Sequence, residues 1–220
     1  MARVEKATVA VTVKPINLVR LAFEIVGLSP YVQHRFSEKA QAAMVATQKA
    51  GGPAQSKKVR EPKDFTAKYE DATYRGAEGE FGIPAAAFRN AMISACRTVG
   101  YKMTHAKLAM WIIADGFDAV DGTPLVWIFG ERKPYMAPAR NSNGSVDIRC
   151  RPMWHAGWMA TVKVEFDGDM FATEDVANLM KRAGLQVGVG EGRNDSRRSP
   201  GLGWGMFDVG GQAKGAGDAE

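Results

Sequence analysis

Gly82-Ile-Pro-Ala-Ala-Ala-Phe-Arg-Asn-Ala-Met-Ile-Ser-Ala-Cys-Arg97 passes from a short apolar turn into a helix, and the rest of the chain is organised around that transition. Pro84 suits the first helical position, where its missing N–H costs no hydrogen bond. Phe88, Met92, Ala95 and Val99 recur at helical spacing and predict one buried stripe, with Cys96 beside it. Upstream, Val9–Val13 alternates, and so do Val19, Leu21, Phe23 and Ile25 against Leu18, Arg20, Ala22 and Glu24, which predicts a strand ended by Ser29-Pro30. Downstream, Leu125–Phe129 is apolar on both faces and reads as a central strand. Val146, Ile148 and Cys150 alternate with Asp147, Arg149 and Arg151, and Trp158, Ala160, Val162, Val164 and Phe166 with Thr161, Lys163 and Glu165. These two segments read as a half-buried antiparallel pair. Thr173 then caps a helix with the stripe Val176, Leu179, Met180 and Ala183, Gly184 ends it, and Met206–Val209 forms a last short strand.

Strand, helix, strand, strand, helix, strand predicts an α+β fold: a ferredoxin-like (RRM-like) sandwich with a long insertion, residues 31–80, after the first strand. The expected organisation is one domain over residues 1–209 and a flexible tail from 210 to 220. Inside the insertion, Ser37 reads as the cap of a helix through Thr47, closed by Gly51-Gly52-Pro53. Residues 51–63 have no periodicity and read as an exposed loop, and a short helix follows across Phe65, Lys68, Tyr69 and Ala72.

Composition excludes several classes. The 220 residues are 45% hydrophobic and 24% charged, an ordinary globular balance. No apolar run is long enough to span a membrane, and the start of the chain lacks the pattern of a secretory signal. Two cysteines, Cys96 and Cys150, in a chain of this length argue for buried free thiols in a reducing, cytoplasmic setting. Three histidines without a Cys partner at ligand spacing argue against zinc, and no cofactor is expected. The run Gly188-Val-Gly-Glu-Gly192 to Gly201-Leu-Gly-Trp-Gly205 is neither a Walker loop nor a dinucleotide fingerprint, because it follows a helix and runs into a strand. Asp115, Asp118 and Asp121 lack the closing glutamate of a calcium loop and read as turn residues. His155, between Trp154 and Trp158, reads as part of a packing cluster, and no Ser/His/Asp arrangement is visible.

The formal charge is only +5, but it is unevenly placed. Seven basic residues lie between Arg35 and Lys63 (Arg35, Lys39, Lys49, Lys57, Lys58, Arg60 and Lys63) against Glu38 and Glu61. A second group runs through Arg132, Lys133, Arg140, Arg149 and Arg151, and a third is Arg193, Arg197 and Arg198 among the glycines. Any one group reads as a solvated face; three together in glycine-bearing sequence suggest a polyanion partner. Glycines let a backbone approach a ligand closely, and arginines form charge-assisted bonds to phosphate. His34 could contact a base or phosphate or act as a general base, and Tyr31, Phe36, Phe65, Tyr69, Tyr135 and Trp204 are candidates for stacking on bases.

Two segments resemble a known family. Gly82-Ile-Pro-Ala-Ala-Ala-Phe-Arg89-Asn-Ala-Met resembles the strand-to-helix turn of the RAMP superfamily, the backbone and processing subunits of CRISPR effector complexes. Gly188-Val-Gly-Glu-Gly through Arg197-Arg198 to Gly201-Leu-Gly-Trp-Gly205-Met-Phe is similar to that superfamily's glycine-rich loop before the last strand. The resemblance implies a small solitary or phage-borne relative that binds single-stranded RNA or DNA by its backbone and assembles side by side along it, with copies of itself and other effector subunits as partners. It carries over Arg89, Gly190, Gly192, Arg193, Arg197 and Arg198 as strand-facing, with His34, Arg35 and Lys39 beside the groove. Lys57, Lys58 and Arg60 join them through their charge. The family's target-cleaving members bear an aspartate after the first strand; Tyr31-Val-Gln-His-Arg35 has none, so the expected role is non-catalytic binding. The loop also departs from the pattern in carrying two acids, Glu191 and Asp195. The competing expectation is a phage or mobile-element assembly protein whose basic loops contact neighbouring subunits.

Overall fold

A computed structural model of the chain describes residues 13–36, 62–140, 144, 146–195 and 201–210, with helical positions at 42, 45, 46, 48 and 49. The expected cap at Ser37, most of the 51–63 loop and the tail beyond 210 lie outside the described residues.

The main sheet has four strands. They are β1 (Leu18–Gly27), β4 (Met110–Ile113), β9 (Met159–Asp167) and β10 (Phe207–Val209), in the order β10-β1-β9-β4 with every neighbouring pair antiparallel. β1 reaches β4 by way of α1 (Phe65–Asp71), α2 (Ala85–Ala95) and α3 (Met103–Ala109), with α2 the helix on the sheet, and β9 reaches β10 through α4 (Thr173–Arg182). Each strand–helix–strand unit therefore receives one strand of the other between its own two, so neither half of the sheet can form alone. Period-2 alternation explains the burial: Phe23, Ile25, Ala160, Val162, Val164 and Phe166 face the helices, which return Phe88, Met92, Val176, Leu179 and Met180. The opposite face of the sheet is charge-balanced, with Arg20 bonded to Glu165 at 2.7 Å and Lys163 to Asp115 at 2.8 Å.

Two smaller sheets lean on this core. One is β3 (Gly82–Pro84), β6 (Pro124–Trp127) and β5 (Gly116–Phe117); the other is β2 (Tyr31–Val32), β8 (Val146–Trp154) and β7 (Arg132–Arg140). Leu125–Phe129 is thus central to a three-stranded sheet rather than to the main one. β8 pairs with β2 and β7, not with β9, which corrects the expected pairing. Alternation named the buried faces of β1 and β9 but not that of β8, where Val146 and Ile148 are exposed and Arg151 is buried, and it holds no information about a strand's neighbour. An aromatic chain binds the sheets together: Phe88–Phe207, Phe207–Trp158, Trp158–Tyr31, Tyr31–Trp154 and Trp154–Phe81, with ring centroids 5.6–6.2 Å apart. His155 is exposed beside this cluster rather than packed in it.

The helices start and stop close to their expected places, with instructive differences. α2 begins at Ala85, with Pro84 as its cap residue, and a 3-10 turn over Cys96–Val99 leaves Val99 half exposed, off the buried stripe. α4 is capped at Ala172, whose N–H donates to the Asp175 carboxylate. The chain continues through a π turn, Ala183–Val187, to Gly188, whose φ is 77°. Gly184 does not end the helix; it lies against the Phe207 carbonyl, where a Cβ would collide. Cys96 and Cys150 are both free and buried. Among the described residues, no helix is long and apolar enough to cross a membrane.

Candidate functional site

Past β1 the chain turns at Ser29-Pro30 and enters β2. Gln33 follows, buried, and joins three segments. Its Nε2 donates to the Tyr31 hydroxyl (3.2 Å) and the Gly82 carbonyl (3.0 Å), its Oε1 accepts from the Tyr74 N–H (2.6 Å), and its own N–H donates to the Pro152 carbonyl (3.3 Å). Nothing in the local sequence marks Gln33, because its partners other than Tyr31 lie 41 to 119 positions away. The buried Tyr31 hydroxyl has its pKa raised, chiefly by desolvation.

A cleft of about 380 Å³ opens beside these residues. Gln33 and His34 form one side, Asn90 and Ser94 of α2 another, and Gly190, Glu191, Arg193 and Asp195 a third. His34 is exposed at the rim. Partial desolvation, then the Arg151 guanidinium, holds its pKa below the ordinary histidine value. His34 also lines a second, smaller cleft with Arg35, Phe36, Lys68 and Arg149.

The glycine-rich segment forms its wall through backbone constraints. Gly190 has φ 78°, and a Cβ there would fall 2.6 Å from the Val32 carbonyl oxygen. Gly192 has φ 77° and would meet Trp204 at 2.7 Å. Both positions demand glycine for conformation and for space. The Glu191 N–H donates to Val32 O at 2.8 Å and fastens the segment to β2.

The candidate residues fall into three groups. His34, Gly190 and Arg193 come together at the cleft, although Arg193 also bends back to donate to the Gly190 carbonyl at 2.9 Å. Gly192 is buried behind it, against Trp204. Neither Arg35 nor Arg89 lines the larger cleft: Arg89, expected to face the strand, turns to the backbone of its own fold, and Arg35, expected beside the groove, lines the smaller cleft but bonds inward. Arg35 has a side chain only 6% exposed and lies against Asp118 at 3.2 Å and Asp121 at 3.8 Å. Arg89 donates to the backbone carbonyls of Met110 (2.9 Å) and Lys107. The helical repeat explains this: Ala87, Asn90, Ala91 and Ser94 share the cleft side of α2, and Arg89 lies off that stripe. Lys39, Lys57, Lys58, Arg60, Arg197 and Arg198 lie outside the described residues.

Other cations of the basic groups are engaged within the fold. Arg132 stacks over Tyr69 (4.2 Å to the ring centroid) and Phe81 (4.3 Å), and bonds Thr73 and Glu70. Lys133 pairs with Glu131 at 3.1 Å. The two loop acids are likewise engaged: Glu191 faces Arg151 at 3.0 Å and Asp195 pairs with Arg97. The Arg97 bond, helped by Ser94, holds the Asp195 carboxyl below its usual pKa. Asp115, Asp118 and Asp121 lie in the turns flanking β5, as expected, and Asp118 also accepts from three backbone N–H groups, those of Arg75, Val120 and Asp121. Of the aromatic candidates Tyr31 is buried, Tyr135 and Trp204 pack edge-on against one another (5.3 Å), and Phe36 is 48% exposed. Among the described residues no group of three or more His, Cys, Asp or Glu could hold a metal ion. No protein-family model matches the chain, and no curated protein matches its sequence.

Proposed function

We propose that this chain is a ferredoxin-like, RAMP-type protein that binds single-stranded nucleic acid, RNA in the first instance, without cleaving it, and assembles in copies along the strand. The supporting observation is the joining of two features: the strand order β10-β1-β9-β4 with its interleaved helices, and a glycine-rich segment before β10 that walls a cleft beside β2. The strand would lie along that cleft. The open face of the main sheet is a poor alternative, since its lysine and arginine are already matched by Asp115 and Glu165. Affinity would come from phosphate neutralisation and weaken as salt rises, and backbone contacts would give little sequence preference.

Assembly would use side-chain surfaces rather than edge-to-edge strand pairing. The Pro152 carbonyl faces β2, so in antiparallel pairing its opposite residue Pro134, and with it Pro138, faces away from β8. From Pro134 to Pro138 the outward edge of β7 keeps one N–H donor, Met136, which blocks strand addition there.

The test is to strip the protein of nucleic acid in high salt and return single-stranded RNA or DNA. Assembly only on return of a strand, and its loss at raised salt, is the expected result. Arg193→Ala should weaken binding and lower the salt slope by about one; an unchanged slope would remove Arg193 from the interface. Assemblies that form without nucleic acid and survive nuclease would favour the subunit-contact reading.

A further inference from the structure

Among the described residues, Arg151 is the one buried arginine whose partner fits it poorly. Its side chain is 7% exposed, yet its Nε and the facing Glu191 Oε2, 3.0 Å apart, lack hydrogen-bond alignment, and both atoms are buried without another partner. Among the described residues, Glu191 is the only carboxylate paired with Arg151. Compare Arg132, which has Thr73, Glu70 and two aromatic faces. A guanidinium presents a planar fork suited to two oxygens of a phosphate, and a buried one left without an anion is strongly unfavourable. Some anion must therefore stay with Arg151.

The surroundings favour a second negative group. His34 is close enough for Arg151 to lower its pKa, and Arg149 lies two residues along β8 on the same face. Glu191 sits at the boundary, 33% exposed and lining the cleft, with its backbone tied to Val32. Its side chain can leave Arg151 while the glycine-rich segment stays in place, and Gly190 and Gly192 on either side add no side chain to obstruct an incoming group.

We propose that Arg151 is the floor of a phosphodiester-binding seat, which Glu191 occupies in the free protein and gives up to a backbone phosphate of the bound strand. This rests on the single-stranded nucleic-acid reading above. An internal competitor lowers the fraction of protein ready to bind, and apparent affinity falls by the same factor; removing the competitor's charge should restore it.

The experiment measures binding of a short fluorescent single-stranded RNA or DNA oligonucleotide to the wild type, Glu191→Gln, Arg151→Lys and the double variant, with the melting temperature of each recorded. Glu191→Gln should bind at least about fivefold tighter. Arg151→Lys should bind more weakly, and the double variant no better than Arg151→Lys. A Glu191→Gln protein that binds equally or more weakly overturns the proposal whatever its melting temperature, because Glu191 then only ties the segment to β8. Competition by inorganic phosphate separates the sources. Displacement at lower phosphate from Glu191→Gln than from wild type supports a seat open to the free ion. Tightening without displacement supports one that takes phosphate only within a strand. If wild type and Glu191→Gln both ignore every strand, the function proposed above falls too; if the wild type binds and no tightening follows, this inference falls alone.

Discussion

Two regions of this molecule are held together by different physics. Between the main sheet and helices α2 and α4 the contacts are apolar: Phe23, Ile25, Val162, Val164 and Phe166 on one side, Phe88, Met92, Val176 and Met180 on the other. Around β2, the β7–β8 hairpin and the glycine-rich segment, polar fixed points are added to the aromatic contacts of Tyr31 and Trp154. Gln33 joins three segments, and Arg35, Arg132 and Arg151 each meet an acid from elsewhere in the chain. Apolar contacts of the first kind are forgiving about which residue provides them. A buried ion pair adds little net stability against an apolar substitute, but breaking one partner away is expensive. The second region is thus defined by a few specific partners, and it is the region that lines the cleft.

Substitutions can test that contrast. The largest loss is expected from Trp158→Ala. The ring is 1% exposed, packs on Tyr31 and Phe207, and donates to the Ser29 carbonyl at 2.9 Å. Truncation should cost about 4 kcal/mol, read as a lower urea midpoint. A smaller loss, about 3 kcal/mol, is expected for Arg35→Ala, which leaves the Asp118 carboxylate, 1% exposed, with its backbone N–H donors but without the cation that faces it. Arg35→Lys, which keeps the cation, should lose less; a loss equal to that of Arg35→Ala would mean that Arg35 contributes packing rather than charge.

The smallest effect is a pH dependence. His34 has a folded pKa below its unfolded value, so the unfolded chain binds more protons as pH falls through the ordinary histidine range. Stability should decrease on acidification from about pH 7 towards pH 5. His34→Asn should flatten that limb, as followed by thermal melting across the range. A limb unchanged in His34→Asn would place the titrating group elsewhere.

How much of this was legible beforehand differs between the regions for the same reason. The stripe Val176, Leu179, Met180 and Ala183 and the alternation of β1 and β9 are local repeats, and each named its buried face correctly. Gly184 was misread because a glycine needed for close approach to Phe207 looks the same in sequence as one that ends a helix. The basic groups suffered likewise. Counting Arg35 and Arg132 as surface charge ignored Asp118, 83 positions away, and Glu70, 62 positions away. His34, Gly190 and Arg193 were accessible to reading because a histidine beside an arginine and an arginine among glycines stand out in sequence; Gln33, Asn90 and Ser94 carried no local signal.

By itself the sequence determined which residues of β1, β9, α2 and α4 face inward, since a side chain's burial there follows from its place in a repeat of 2 or 3.6 residues. Only the tertiary structure decided which strand lies beside which and which arginine meets which acid. Pairing partners are separated by long stretches of chain, and a charge has no periodicity to declare whether its counter-ion is solvent, a ligand or another part of the fold. Arg151 and Glu191, 40 positions apart, are neighbours only because β8 and the glycine-rich segment meet beside β2.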